Sequence, residues 1–227
     1  MSNKAAEITS GVLKSRGQSF AVAYASVPKS ASSKNDDVIS LKARDGEVSI
    51  LVADGATGFG YGHLAARALA DYFQSSYEPQ ATSRKAKRFL IDADEAVRRA
   101  CAGEAEGADT TGIVLSLLNG RIEGASAGDS QAIVFGPSTY ELTGKQRRKP
   151  RIGNGAYAED FTGRIAAGDV MVVATDGLWN RVKLDHVSKA VLTASGLDQA
   201  VAKLLSMAKT SSGKFYDDVS VVCISLA

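Results

Sequence analysis

Apolar and polar residues alternate through much of the first quarter of the chain. Phe20, Val22 and Tyr24 fall on one face of residues 18–25, the two-residue period of a half-buried strand. Residues 38–41 and 47–53 read as two more strands, joined through Arg44-Asp45-Gly46, and the polar residues 28–35 form the loop before them. The glycine-rich stretch Gly55-Ala56-Thr57-Gly58-Phe59-Gly60-Tyr61-Gly62 ends this pattern and is expected to be flexible. The period then becomes helical. Leu64, Ala68 and Tyr72 share a face within residues 63–75, and Phe89, Leu90, Ala93 and Val97 punctuate a second helix over residues 83–102. Strands return at residues 110–118, 121–127 and 131–135, a meander turned at Asn119-Gly120 and again at Gly128-Asp129-Ser130. Residues 142–161 keep neither period and are expected to be a long irregular loop, basic at Lys145, Arg147, Arg148, Lys149 and Arg151. A buried strand at 169–175, helices at 184–194 and 197–209, and a strand at 218–226 complete the chain. With roughly eight to ten strands and four helices, segregated rather than strictly alternating, the class is α+β: antiparallel sheets with helices packed outside.

Composition changes this picture little. With 227 residues, 44% hydrophobic and 23% charged, the chain suits one soluble domain over residues 1–227, and it shows no internal repeat. A net charge of +2 is too near neutral to make nucleic acid or a membrane surface the main partner. No apolar run approaches a membrane span and the first residues lack the apolar core of a signal peptide, so we expect a cytoplasmic monomer. Cys101 and Cys223 lie in apolar surroundings and read as free buried thiols.

Chemistry is concentrated in acidic residues at strand ends. Asp54 ends Ile50-Leu51-Val52-Ala53, Asp129 lies in the Gly128-Asp129-Ser130 turn, Asp176 ends Val172-Val173-Ala174-Thr175, and Asp217-Asp218 precedes Val219-Ser220-Val221. Strand ends hold side chains rigidly while the loops beyond stay open to ligands. Two carboxylates about 4 Å apart repel by roughly 4 kcal/mol at an effective dielectric near 20, so a convergent set calls for a cation. Oxygen-only ligation suits Mg²⁺ or Mn²⁺; Zn²⁺ prefers His and Cys, and the two residues of each type here show no ligand spacing.

These motifs, in this order, resemble the metal-dependent type 2C serine/threonine protein phosphatases, in the bacterial-looking subgroup with Asp-Gly-Ala. The resemblance rests on Asn35-Asp36-Asp37, Asp54-Gly55, Asp109-Thr110-Thr111-Gly112, Ala127-Gly128-Asp129-Ser130, Ala174-Thr175-Asp176-Gly177-Leu178-Trp179 and Asp217-Asp218-Val219-Ser220-Val221. It implies a four-layer α-β-β-α sandwich with a centre of two Mn²⁺ or Mg²⁺ ions at one end, acting on a phosphorylated protein in signalling. By position it makes Asp54 the carboxylate bridging both ions and Gly55 a carbonyl ligand, with Asp176 and Asp217 on the first ion. Asp36 falls near the second ion, Asp37 holds water there, and Asp129 with Asp176 offers a weaker third site. The implied mechanism is in-line attack on phosphorus by metal-activated water, without a covalent intermediate.

Three positions depart from the family pattern. Ala56 stands where many members carry a histidine, Ser32 where an arginine grips phosphate, and Asn180 where a further aspartate supports the third metal. Lys34 or Lys29 is the expected substitute for the missing arginine, as a point charge without a fork. His63 is expected to start a helix, Asp218 to satisfy loop backbone groups, and Trp179 to anchor packing; the basic loop is either a solvated surface or a dock for phosphoprotein. Gly124-Ala125-Ser126-Ala127-Gly128 spells a serine-hydrolase elbow, but a strand rather than a helix should follow it, and the glycines at 58, 60 and 62 lack a parallel βαβ setting. The competing functional reading is a phosphatase-like binding or regulatory module with weak or no catalysis.

Overall fold

A computed structural model describes residues 7–15, 18–44, 47–56, 58, 60–78 and 82–227. Asp45 and Gly46 of the expected turn, and Thr57 and Phe59 of the glycine stretch, lie outside the described residues. One sheet runs in the order β1 (Thr9–Ser15), β2 (Gln18–Val27), β11 (Val219–Leu226), β10 (Val170–Ala174), β7 (Gln131–Phe135), β8 (Tyr140–Glu141). The other runs β3 (Asp37–Arg44), β4 (Glu47–Asp54), β5 (Gly112–Leu118), β6 (Arg121–Ala127), β9 (Glu159–Arg164). Neighbouring strands pair antiparallel throughout both sheets.

The two-residue period sorts the strand residues into three layers of core. In β4, Val48, Ile50 and Val52 point between the sheets, where they meet Phe20, Met171, Val173 and Val222. Leu51 and Ala53 point the other way and pack under α1 (Gly62–Ser76) and α2 (Ser83–Ala100) through Leu69, Phe73 and Leu90. In the first sheet, Val172, Ala174, Val221 and Cys223 pack outward, a layer that includes Leu178 of α3 (Asp176–Trp179), Val187 of α4 (Leu184–Leu192) and Leu204 of α5 (Leu197–Ala208). The result is the four-layer sandwich expected from the sequence. Strands buried on both faces read as continuous apolar runs rather than alternating ones, as β10 does with all five residues buried.

Several elements escaped the sequence reading. β1 carries little apolar signal: Val12 is largely exposed, and the strand exists because its residues pair with β2 along its whole length. β9 occupies the end of the segment expected to be loop; in Glu159–Arg164 only Phe161 is buried, as befits an edge strand. The short α3 and β8 give too few residues for a period to show. The two exclusions hold: Ser126 lies within β6 and the strand β7 follows, and α1 follows β4 in an antiparallel sheet. Both cysteines are free and buried, with burial pushing the Cys223 thiol up to about 12. No helix among the described residues is long and apolar enough to cross a membrane.

The remaining loop between β8 and β9 is irregular but fastened. Asp94 of α2 accepts hydrogen bonds from the main-chain N–H groups of Gly153 (2.9 Å), Gly155 (3.0 Å) and Ala156 (2.8 Å), and Ile152 exchanges main-chain bonds with Thr110. Truncating the carboxylate strands these donors, so Asp94→Ala should cost about 1–3 kcal/mol, visible as a lower urea midpoint with an unchanged slope. A parent-like midpoint would show that the loop is held by its other bonds.

Candidate metal centre

The same strand parity that builds the interior also chooses what sits at its end. Asp54 is in phase with Val48, Ile50 and Val52, so its carboxylate lies where the space between the sheets opens. Asp37 stands directly opposite it in the β3–β4 register, on the same face. Thr175 continues the inward phase of Met171 and Val173, while Asp218 and Ser220 continue that of Val222 and Ile224. Thr111 continues that of Ile113 and Leu115. Apolar filling therefore gives way to a polar layer at this end of the sandwich.

Hydroxyls knit that layer together. The Thr175 hydroxyl donates to Asp37 Oδ2 (2.8 Å) and accepts from the Ser220 N–H (3.0 Å), joining the two sheets. The Thr111 hydroxyl accepts from the Asp54 N–H (3.1 Å) and shares a bond with the Ser130 hydroxyl (2.8 Å), coupling the Asp54 strand end to the Asp129 turn. Asp218 serves the loops, as expected: its two oxygens accept from the N–H groups of Lys29 (2.7 Å) and Asp36 (2.6 Å).

Glycine is obligatory where loops close on one another. A Cβ on Gly55 would stand 2.1 Å from the Gly62 carbonyl oxygen and 2.8 Å from that of Asp36, so only a bare backbone lets the segment after β4 nest there. A Cβ on Gly177 would lie 2.0 Å from the Asp218 carbonyl oxygen, and this contact presses the start of α3 against the start of β11. These approaches set Asp54, Asp176 and Asp217 at one end of the fold.

The outcome is a tight acidic cluster. Asp54, Asp129 and Asp176 each offer a carboxylate oxygen, all within 4.8 Å of one another. Burial, followed by repulsion from Asp37, Asp176, Asp129 and Asp217, pushes the Asp54 carboxyl up to about 9. Burial also pushes Asp37 up to about 8 against the opposing hydrogen bonds from Thr175 and Ser220, with Asp218 and Asp217 adding repulsion. Asp176 is raised by burial first, then by Asp129 and Asp217, and is drawn back by the Asn180 amide and the Arg148 charge. The raised carboxyls of Asp54 and Asp37 hold their protons more tightly than free ones, a cation could take the place of those protons, and the all-oxygen donors of the cluster fit a hard divalent ion. The donor set fits the metal type expected from the sequence.

Other expected site residues lie around this cluster. Asp36 is buried, with Oδ1 accepting from the His63 N–H at the start of α1 (2.9 Å) and standing 3.5 Å from the His63 ring. His63 thus starts its helix, and Asp36 satisfies one of the helix's orphan donors. The Lys34 ammonium lies 3.2 Å from the other ring nitrogen of His63, and Lys29 approaches Asp218 through its main chain. Asn180 donates to Asp176 Oδ2 (3.0 Å), and Trp179 donates to the Ala174 carbonyl (2.9 Å) as a packing anchor. Sequence reasoning missed the roles of Thr175, Thr111 and Arg148; the first two stood within quoted motifs, but their partners lie far off in the chain.

Comparison with known proteins gives a consistent picture. Residues 44–227 match the profile of the family described as Stage II sporulation protein E (SpoIIE). No curated protein matches the chain by sequence. Among solved structures, the S. agalactiae serine/threonine phosphatase superposes with a TM-score of 0.75 at 17% identity, covering 97% of this chain and 100% of that one. The catalytic domain of the serine/threonine protein phosphatase PstP, in complex with two manganese ions, gives 0.75 at 18% identity, covering 92% and 98%. RsbX in complex with magnesium gives 0.70 at 16%, covering 96% and 100%. At these identities the likeness concerns the fold.

Proposed function

The chain belongs to the SpoIIE family, with the fold of type 2C serine/threonine phosphatases, and from this premise we propose that it is a divalent-metal-dependent phosphatase acting on phosphorylated protein. On this reading residues 1–227 form one catalytic domain. The observation that carries the proposal is the cluster of Asp54, Asp129 and Asp176 within 4.8 Å, where burial and then the neighbouring carboxylates push the Asp54 carboxyl up to about 9. Two Mn²⁺ or Mg²⁺ ions bound there would supply Lewis acidity at the phosphoryl oxygens and lower the pKa of an attacking water.

The protein's own groups bind, orient and shield. Asp54 would hold both ions, with the Gly55 carbonyl on one of them, and Asp176 and Asp217 would hold the first. Asp36 would serve the second, and Asp37 would orient water, its own carboxylate fixed by the Thr175 hydroxyl. Asp129 and Asp176 could hold a third ion only weakly, because Asn180 offers an amide in place of a carboxylate. Lys34 brings its positive charge to His63, beside Asp36, and Lys29 meets Asp218 through its main-chain N–H. Ala56 has no proton to give, so the leaving serine or threonine oxygen takes one from water.

The test is release of phosphate from a phosphoserine peptide with Mn²⁺, with Mg²⁺ and after chelation. Turnover should appear with metal, vanish with chelator and exceed that on a small aryl phosphate at equal concentration. No turnover with metal demonstrably bound by calorimetry would instead make the chain a phosphatase-like binding module.

A further inference from the structure

The basic loop between β8 and β9 contributes a residue to this centre. Arg148 donates from both Nε (3.1 Å) and Nη2 (3.0 Å) to Asp129 Oδ2. Its backbone is fixed on that side: the Gly128 N–H donates to the Arg147 carbonyl (3.1 Å) and the Gln146 amide donates to the Ser130 carbonyl (2.6 Å). Loop and turn are therefore stitched together just before Arg148 in the chain. Arg151 sits behind it with 20% of its side chain exposed, 3.4 Å from Asp109 Oδ1 and 3.9 Å from Asp129 Oδ2. Arg148, by contrast, is 74% exposed. A fixed backbone with a solvent-exposed guanidinium can swing its fork without moving the loop.

Three other cations around the site have partners of their own. Arg147 lies over the Tyr157 ring at 4.1 Å, Arg181 over the Tyr216 ring at 4.0 Å, and the Lys34 ammonium rests on His63. Arg148 alone among these four pairs with a carboxylate of the cluster, and its charge is felt at Asp176 as well. The pair is open to solvent on its arginine side, while the Asp129 side chain is 12% exposed, and a cation held by Asp129 would compete with Arg148 for the same carboxylate. A phosphoryl group presents several anionic oxygens at a spacing that a guanidinium fork meets in parallel, which a lysine ammonium cannot do.

We propose that Arg148 is the phosphate clamp of this site, leaving Asp129 to grip the substrate phosphoryl group and making up for the serine at position 32. The proposal rests on the phosphatase reading, yet phosphate binding tests it separately. The parent chain, Arg148→Ala and Arg148→Lys are loaded with Mn²⁺ and titrated with inorganic phosphate by calorimetry, then assayed on the phosphoserine peptide. Arg148→Ala should weaken phosphate binding by ~10-fold or more and raise KM in proportion, with Arg148→Lys recovering only part of the loss. Mn²⁺ affinity should stay at least as tight as in the parent, since the substitution removes a competing cation. Parent-like phosphate affinity in Arg148→Ala, weakened Mn²⁺ binding in that variant, or no phosphate binding by the parent would each overturn the clamp. Absence of turnover by the parent would sink the phosphatase reading, while the difference in phosphate affinity would still decide the role of Arg148.

Discussion

Asp54→Asn is expected to lower kcat with Mn²⁺ by at least ~100-fold and to do so without unfolding the chain. The side chain lies at the end of β4, opposite Asp37 and within 4.8 Å of oxygens from Asp129 and Asp176. An amide there keeps the size and loses the charge, so it cannot serve two cations at once. Metal polarisation contributes several kcal/mol to a phosphoryl transfer, and each ~1.4 kcal/mol is about tenfold in rate, which sets the minimum loss. The same change removes a buried carboxyl that must take up a proton on folding at neutral pH, so the metal-free variant should melt at or above the parent temperature. Calorimetric titration with Mn²⁺ makes the test decisive. Two tight ions still bound by the variant would mean that Asp54 is not the residue shared between them.

Without metal, the parent should become less stable as pH rises from about 5 to 9, and Mn²⁺ should reverse the trend. Asp54 and Asp37 titrate near 9 and 8 in the fold, whereas an unfolded aspartate titrates near 4. Between those limits the folded state binds more protons than the unfolded state, so stability falls with rising pH. Their stabilising contribution is fully present below the unfolded value and is gone once pH passes the folded values. Each group lowers stability by up to ~1.4 kcal/mol per pH unit within its window, so the metal-free melting temperature should fall steadily across it. Protons and Mn²⁺ compete for the same oxygens, so the rise in melting temperature on adding Mn²⁺ should widen from pH 6 to 8.5. A metal-free profile that stays flat across this range would contradict the proton affinities assigned to Asp37 and Asp54.

What the sequence disclosed and what it withheld follow from the range over which each signal acts. Asp54 and Asp176 stood out as candidates because they follow apolar strand runs, and Asp217 because it precedes one, which are local patterns. Antiparallel sheets with helices outside were legible in the periods, and the run 170–174 declares a strand buried on both faces, while the stacking into four layers was implied by the family resemblance. β1 and β9 were not, because edge strands owe their form to a neighbour's open hydrogen bonds more than to their own residues. Thr175 acts on Asp37 across 138 residues, and Asp94 holds a loop some 60 residues away. Hydrogen bonds of that reach leave no periodicity to read. The basic loop showed its charge but not its aim, which comes from the bonds joining 146 and 147 to the Asp129 turn.

The acidic residues come from both layers of the sandwich. Asp37 and Asp54 belong to one sheet, Asp176 and Asp217 flank β10 and β11 of the other, and Asp129 sits in the turn that crosses between them. The cluster is thus a caliper set across the gap between the sheets, with its jaws at one end. Interior side chains such as Ile113 and Met171 fix the thickness of that gap, and oxygen ligands tolerate only a narrow span around a divalent ion. A change in interior volume too small to move the melting temperature would open or close the jaws, and the affinity for the ion would register it first.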